Sequence, residues 1–148
     1  LPGSGKSTLA KSLQDTLIKE GGLSLIDAVI YSTDDFFTQN DDGKYIFNSS
    51  LLYHAHKWNK QRVSDAMNRG VLNIIVDNTN TVAKEAKSYV DMANDHGYNV
   101  VVVEANTSWA KDSFELHQRN THGVPLETIK KMLARFESDD IFKKKLGI

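Results

Sequence analysis

The sequence predicts an α/β fold, a parallel sheet with helices on both faces, and three observations predict it. Segments with helical spacing alternate with short apolar runs along the whole chain. The runs are unbroken and β-branched, as in strands buried on both faces, and each ends in polar residues. At 148 residues and 40% hydrophobic content, the chain is long enough for one domain with its own core, and residues 1–148 are read as that single domain.

The first element is a loop followed by a helix. Residues Leu1-Pro2-Gly3-Ser4-Gly5-Lys6-Ser7-Thr8 match every position but the first of the phosphate-binding loop G-x-x-x-x-G-K-[ST]. Gly3 and Gly5 lack a Cβ, so the backbone can turn sharply and aim successive N–H groups at phosphate oxygens. Lys6 adds a point charge for the β and γ phosphates, Ser7 a hydroxyl for Mg²⁺, and the following helix its positive N-terminal end. Pro2 to Thr8 are therefore expected to bind the phosphates of ATP. The helix itself is read from Leu9, Leu13 and Leu17, with Ala10 widening the stripe and Gly21-Gly22 ending it. The first glycine and the strand that feeds the loop belong before Leu1. The chain is thus expected to be truncated at its N-terminus, without that strand of a P-loop NTPase sheet.

Ala28 to Tyr31 form the next apolar run, a strand that delivers Asp34 and Asp35 at its carboxyl end. Residues 38–50 are polar, with Asn40-Asp41-Asp42-Gly43 as a turn. Residues 51–69 have helical spacing, with Leu52, Ala55, Val63, Ala66 and Met67 inward and Gly70 as the stop. Residues 71–76 are a second strand, ending on Asp77-Asn78-Thr79-Asn80. Residues 82–96 are helical up to Gly97, and residues 99–103 are a third strand. The last helix opens with Pro125 at its first position and Glu127 in its first turn, and Leu126, Ile129, Leu133 and Phe136 form its core stripe.

In a parallel sheet, ligands bind at the carboxyl ends of the strands. The glycine loop, Asp34-Asp35 and Asp77-Asn78-Thr79 are all expected there. A phosphate loop alone permits hydrolysis or transfer; a carboxylate beside the γ-phosphate points to transfer, because it can take the proton of an acceptor hydroxyl. Asp34 is read as that base and Lys6 and Arg119 as its catalytic partners. Ser7 and Asp77 are read as magnesium ligands, and Asp35, Asn78 and Thr79 as contacts to the substrate. Arg119 and His122 lie in residues 107–124, a segment with the position of a lid over the transferred phosphate. Arg62 and Arg135 are more simply paired with acids. His54 and His56 are two apart on a helix and point away from each other, which does not suit a shared metal.

Composition narrows the partners. The 18 basic and 19 acidic residues give a net charge of −1, so no overall positive field draws in a polyanion. The absence of cysteine excludes disulfides, thiolate zinc sites and thiol catalysis, and suits a reducing, intracellular compartment. No apolar run has the length of a membrane span, so no membrane partner is expected.

The ordered set Leu1–Thr8, Ser32-Thr-Asp-Asp-Phe-Phe37, Ala55-His-Lys-Trp-Asn-Lys-Gln-Arg-Val63, Val76-Asp-Asn-Thr-Asn80 and Arg119-Asn-Thr-His-Gly-Val-Pro125 resembles the NEDD-four-binding protein two-like group. Those are P-loop proteins similar to the kinase domain of polynucleotide 5′-kinases. The resemblance implies an ATP- and Mg²⁺-dependent phosphotransferase in which Asp34 activates a 5′-hydroxyl. It also marks a departure. Phage-type polynucleotide kinases have an arginine three residues after that aspartate, to hold an acceptor phosphate, and Phe37 stands here instead. An apolar ring cannot replace a bidentate phosphate fork. Three functions stay open at this point: transfer to a polynucleotide 5′-hydroxyl, transfer to a small molecule or nucleotide, and ATP binding as an interaction module with little turnover.

Overall fold

The computed structural model describes residues 1–148. In chain order the regular elements are α1 (Lys6–Gly21), β1 (Ala28–Tyr31), α2 (Leu52–Asn68), β2 (Asn73–Val76), α3 (Ala83–Asp95), α4 (Ser113–Arg119), α5 (Leu126–Ala134) and α6 (Asp139–Leu146). Two 3-10 turns, Thr33–Thr38 and Ser49–Leu51, precede α2. The class is α/β, with a two-stranded parallel sheet. By its internal contacts the chain divides into two units, Ser7–Asn78 and Leu1–Lys6 together with Thr79–Ile148. None of its helices is long and apolar enough to cross a membrane.

In the unit Ser7–Asn78, β1 and β2 run parallel in the register Ala28 to Asn73 through Tyr31 to Val76. Both strands therefore end at the same level, and the polar residues after each emerge along one sheet edge. Helix α2 presents Ala55, Asn59, Val63, Ala66 and Met67 as its buried face, a three-to-four-residue spacing that keeps one stripe inward. Leu52 was expected on that stripe, but it is 39% exposed, because the packed face begins one turn later, at Ala55. Helix α1 is buried at Ala10 and Gln14, whereas its three leucines are only partly covered. Gln14 was not anticipated in the core. Its side-chain amide donates to the Ala28 carbonyl at 2.7 Å, which ties α1 to β1 and satisfies a polar group that burial would otherwise penalise.

In the other unit, Leu1, Leu116 and Ile129 form a core lined by Trp109, Val124, Met132, Leu133 and Phe136. A second cluster joins Ala83 and Ala86 of α3 to Phe142 of α6, with Val102 and Leu146 against it. Glu137 links α3 to α6. One carboxylate oxygen accepts from the Ala83 amide at 2.8 Å and the other from Lys145. The Lys145 hydrogen bond, and then the Ala83 amide, hold this carboxyl below its ordinary range. Any stability from the link is present above the unfolded carboxyl pKa and is lost as pH falls through the lower, folded one.

Residues 99–103 form no strand, and Val101 and Val103 are 79% and 52% exposed. A strand exists through its ladder hydrogen bonds, and a β-branched run does not make one by itself. The second strand begins at Asn73 rather than at residue 71, because the Val71 amide closes the end of α2 by donating to the Ala66 carbonyl at 3.1 Å. Pro125 caps α5 from outside rather than opening it. Two helices were not foreseen. Asp112 starts α4 by accepting from the Phe114 and Glu115 amides, and Gly147, at φ 74°, closes α6.

Ile129 is fully buried while Leu52 is not. Ile129→Ala is therefore expected to lower stability by about 2–5 kcal/mol, and Leu52→Ala by roughly 0.5 kcal/mol or less, in urea unfolding. Equal losses would contradict the assignment of the two faces.

Candidate functional site

The glycine loop is built against its own unit. The Ser4 amide donates to the Leu1 carbonyl at 3.1 Å, as does the Ser4 hydroxyl at 2.7 Å, so the chain turns at once. Gly3 and Gly5 take φ values of 74° and 88°, a region costly for any residue with a Cβ. Two side chains fix the peptide planes. The Trp109 indole N–H donates to the Gly3 carbonyl at 3.0 Å, and the Thr107 hydroxyl donates to the Ser4 carbonyl at 3.0 Å. In a trans peptide the C=O and N–H point oppositely, so holding the Ser4 carbonyl on Thr107 turns the Gly5 amide the other way. Gly3 also touches α4. A Cβ there would lie 2.3 Å from the Leu116 carbonyl oxygen and 2.9 Å from the Asn120 nitrogen.

Residues 107–124, expected to act as a lid, thus include a support for the loop backbone. Trp109 and Thr107 were missed because a side chain that grips a distant carbonyl leaves no periodic trace in sequence. Arg119 lies at the end of α4, with its guanidinium 4.0 Å from the Trp109 ring centroid and its Nε donating to Glu115 at 3.0 Å. Lys6 opens α1, and Ser7 and Thr8 lie in its first turn. Pro2 is partly buried within the loop.

The carboxylates gather in the unit Ser7–Asn78. The Ser7 hydroxyl donates to Asp77 Oδ2 at 2.6 Å, joining residues 70 apart in sequence. Asp77 is 8% exposed, and its amide continues the sheet by donating to the Tyr31 carbonyl at 2.9 Å. Asn78 Oδ1 accepts from the Thr33 amide at 2.9 Å. That bond fastens the turn carrying Asp34 to the end of β2. Ser32 caps this turn, in a capping box completed by the Asp35 side chain. Asp35 is also gripped by Arg62, whose Nη1 and Nη2 both lie 3.0 Å from Oδ2. The Arg62 guanidinium in turn sits 4.1 Å from the Trp58 ring centroid and 4.9 Å from that of Tyr31, contacts worth about 0.5–1 kcal/mol each at a partly exposed site.

Asp34 has a different neighbour. Its Oδ1 accepts from the Tyr45 hydroxyl at 3.3 Å. Burial first, and then the Asp34 charge and this hydrogen bond, push the Tyr45 hydroxyl up from its ordinary pKa, so it remains a donor throughout the physiological range. Sequence reasoning missed Tyr45, which lies in a polar loop 11 residues from Asp34. Phe37 is 4% exposed and meets Phe36, Tyr45 and Phe47 edge to face. Its position is one of packing. Thr79 follows Asn78 and is partly buried. Arg135 pairs with Glu85 at 3.2 Å.

With this geometry in view, a family model described as an AAA domain matches residues 1–138. This chain belongs to the AAA domain family. NEDD4-binding protein 2 of Homo sapiens is 42% identical over 137 residues, 93% of this AAA domain chain and 7% of that protein. That likeness bears out the group read from the ordered motifs. The 2′,3′-cyclic-nucleotide 3′-phosphodiesterases of Rattus norvegicus and Mus musculus are each 27% identical over 140 residues, 94% of the chain and 30% of either protein. The AAA domain chain therefore spans less than a third of each of these relatives.

Gly3 and Gly97 share the same backbone region, at φ 74° and 75°, but only Gly3 has neighbours within 4 Å of an added Cβ. Gly97→Ala is expected to cost about 1–2 kcal/mol of left-handed strain, and Gly3→Ala clearly more, because α4 must also shift. Equal shifts in thermal unfolding would show that the loop is not closely packed on α4.

Proposed function

We propose that residues 1–148 work as one P-loop NTPase domain of kinase type, transferring the γ-phosphate of ATP to a hydroxyl acceptor. The observation that carries this reading is the 2.6 Å bond between Ser7 and Asp77 on the sheet edge where the Asn78–Thr33 bond also holds the Asp34 turn. A hydroxyl that ends the loop motif and a carboxylate that ends a strand form a pair of hard oxygen donors. The pair is too small for a dedicated cage, and it suits Mg²⁺, which binds through one or two carboxylates and takes further ligands from phosphates and water. Ser7 and Asp77 would hold this ion. When bound, it neutralises charge on the β- and γ-phosphate oxygens.

The remaining roles belong to the chain. The loop from Pro2 to Thr8 binds the phosphates through backbone amides, and Lys6 supplies charge to the β and γ groups. Asp34 accepts the proton of the acceptor hydroxyl as that oxygen bonds to the γ-phosphorus and the bond to the β-phosphate oxygen breaks. Arg119 stabilises the equatorial oxygens during transfer. Asp35 and Asn78 act on the acceptor by holding the turn that bears Asp34, and Thr79 contacts the acceptor directly. The acceptor is of nucleotide class, a reading supported by relatives named for cyclic-nucleotide chemistry. The buried Phe37 favours a small acceptor over a polynucleotide, because no arginine fork stands at that position.

Asp34→Asn is expected to reduce transfer by about 10²–10⁴-fold while ATP affinity is nearly unchanged, as read by labelled-phosphate transfer and equilibrium binding. A parallel loss of binding and transfer would remove Asp34 from the role of base. ATP binding without transfer in the wild-type protein would make the chain a nucleotide-binding module.

A further inference from the structure

The loop that follows the Asp34 turn is ordered by its own contacts and yet presents apolar surface. Asn40 closes it at one end, its side chain donating to the Lys44 carbonyl at 2.6 Å and accepting from the Lys44 amide at 3.1 Å. The Ile46 amide donates to the Phe37 carbonyl at 2.9 Å, and the rings of Tyr45 and Phe47 lean on Phe37 at centroid distances of 6.0 and 5.1 Å. Phe37 therefore anchors a strip that brings the Tyr45 hydroxyl to Asp34. Phe47 remains 51% exposed and Ile46 63%. Phe47 and Ile46 are adjacent and are held beside Asp34 by the contacts of Phe37 and Tyr45, so their apolar surface lies next to the candidate base.

The position and charge of the strip identify what fits it. Tyr45 touches the candidate base, so a group resting on the strip lies beside the hydroxyl that Asp34 deprotonates. The loop carries Asp41 and Asp42 against the single cation Lys44, which opposes an anion. Arg62, the arginine of this region, is engaged by Asp35 and Trp58. What remains is an aromatic surface with a fixed hydroxyl, suited to a flat, neutral, partly polar ring. Resting on the kinase reading above, we propose that the acceptor carries a nucleobase next to its reacting hydroxyl, and that this base stacks on the Tyr45–Phe47 strip. Recognition at this contact is by stacking, where a phosphate fork would otherwise act. A free nucleoside and the terminal residue of an oligonucleotide share this chemistry.

Transfer from Mg-ATP is compared for adenosine, a short 5′-hydroxyl oligonucleotide and D-ribose, the last having a hydroxyl and no base. Adenosine or the oligonucleotide is expected to exceed ribose in kcat/KM, and Phe47→Ala to reduce that preference on the order of 10-fold through KM, the scale of one lost base–aromatic stack. Phe47→Trp should restore the preference. Phe47→Leu, which keeps apolar bulk in a half-exposed position, should not, and circular dichroism verifies that each variant folds. A strongly salt-dependent advantage of the oligonucleotide assigns the base to a polymer end; equal use of adenosine assigns it to a free nucleoside. Ribose equal to both, or a preference indifferent to Phe47, overturns the proposal and leaves the kinase reading intact. If no acceptor is phosphorylated, the kinase reading fails and calorimetric titration of adenosine with a non-hydrolysable ATP analogue present decides. Binding lost in Phe47→Ala supports the stacking site; no binding, or binding unaffected by that change, overturns it.

Discussion

The in-register pairing of Ala28–Tyr31 with Asn73–Val76 is the constraint from which the candidate site follows. Because both strands stop at the same level, the residues after Tyr31 and after Val76 come out side by side. The Asp77 amide extends the ladder to the Tyr31 carbonyl, which sets its carboxylate against Ser7. One residue further on, the Asn78 side chain reaches the Thr33 amide. A slip of one position would turn every side chain of β2 to the other face and break these contacts together.

Two neighbouring carboxylates on that edge have separate surroundings. Asp35 is absorbed by the capping box and by Arg62, a partnership that holds the turn in shape. Asp34 meets the Tyr45 hydroxyl, which donates one hydrogen bond and adds no charge. The first partnership is built around a cation and the second around a neutral hydroxyl. Under the proposed function Asp34 acts as the base, and Asp35 acts through the turn that it holds.

Much of the unit Ser7–Asn78 was legible in the chain. Its helices carry regular apolar spacing, its strands are short β-branched runs, and glycines at positions 22 and 70 adopt the positive φ that ends a helix. The loop residues Gly3 and Gly5 were legible because their motif has a backbone reason. The other unit was harder to read. Helix α4 has only seven residues, too few for a periodic signal, although Asp112 with Glu115 three positions on was a readable start. Helix α6 likewise had its acids at one end and lysines at the other. The run at 99–103 reads as a strand because propensity is local, while strand formation needs a neighbour. Trp109, Thr107 and Tyr45 act on groups far away in sequence, and no pattern along the chain encodes that.

Under the proposed function, Ser7 and Asp77 would hold the cation that accompanies a bound triphosphate. The most direct test measures ATP affinity with and without Mg²⁺ in the wild-type protein and in Asp77→Asn. Mg²⁺ is expected to strengthen binding to the wild type, and the variant to lose this gain while its metal-free affinity stays close to the original. A gain from Mg²⁺ that is the same in both proteins would contradict that assignment.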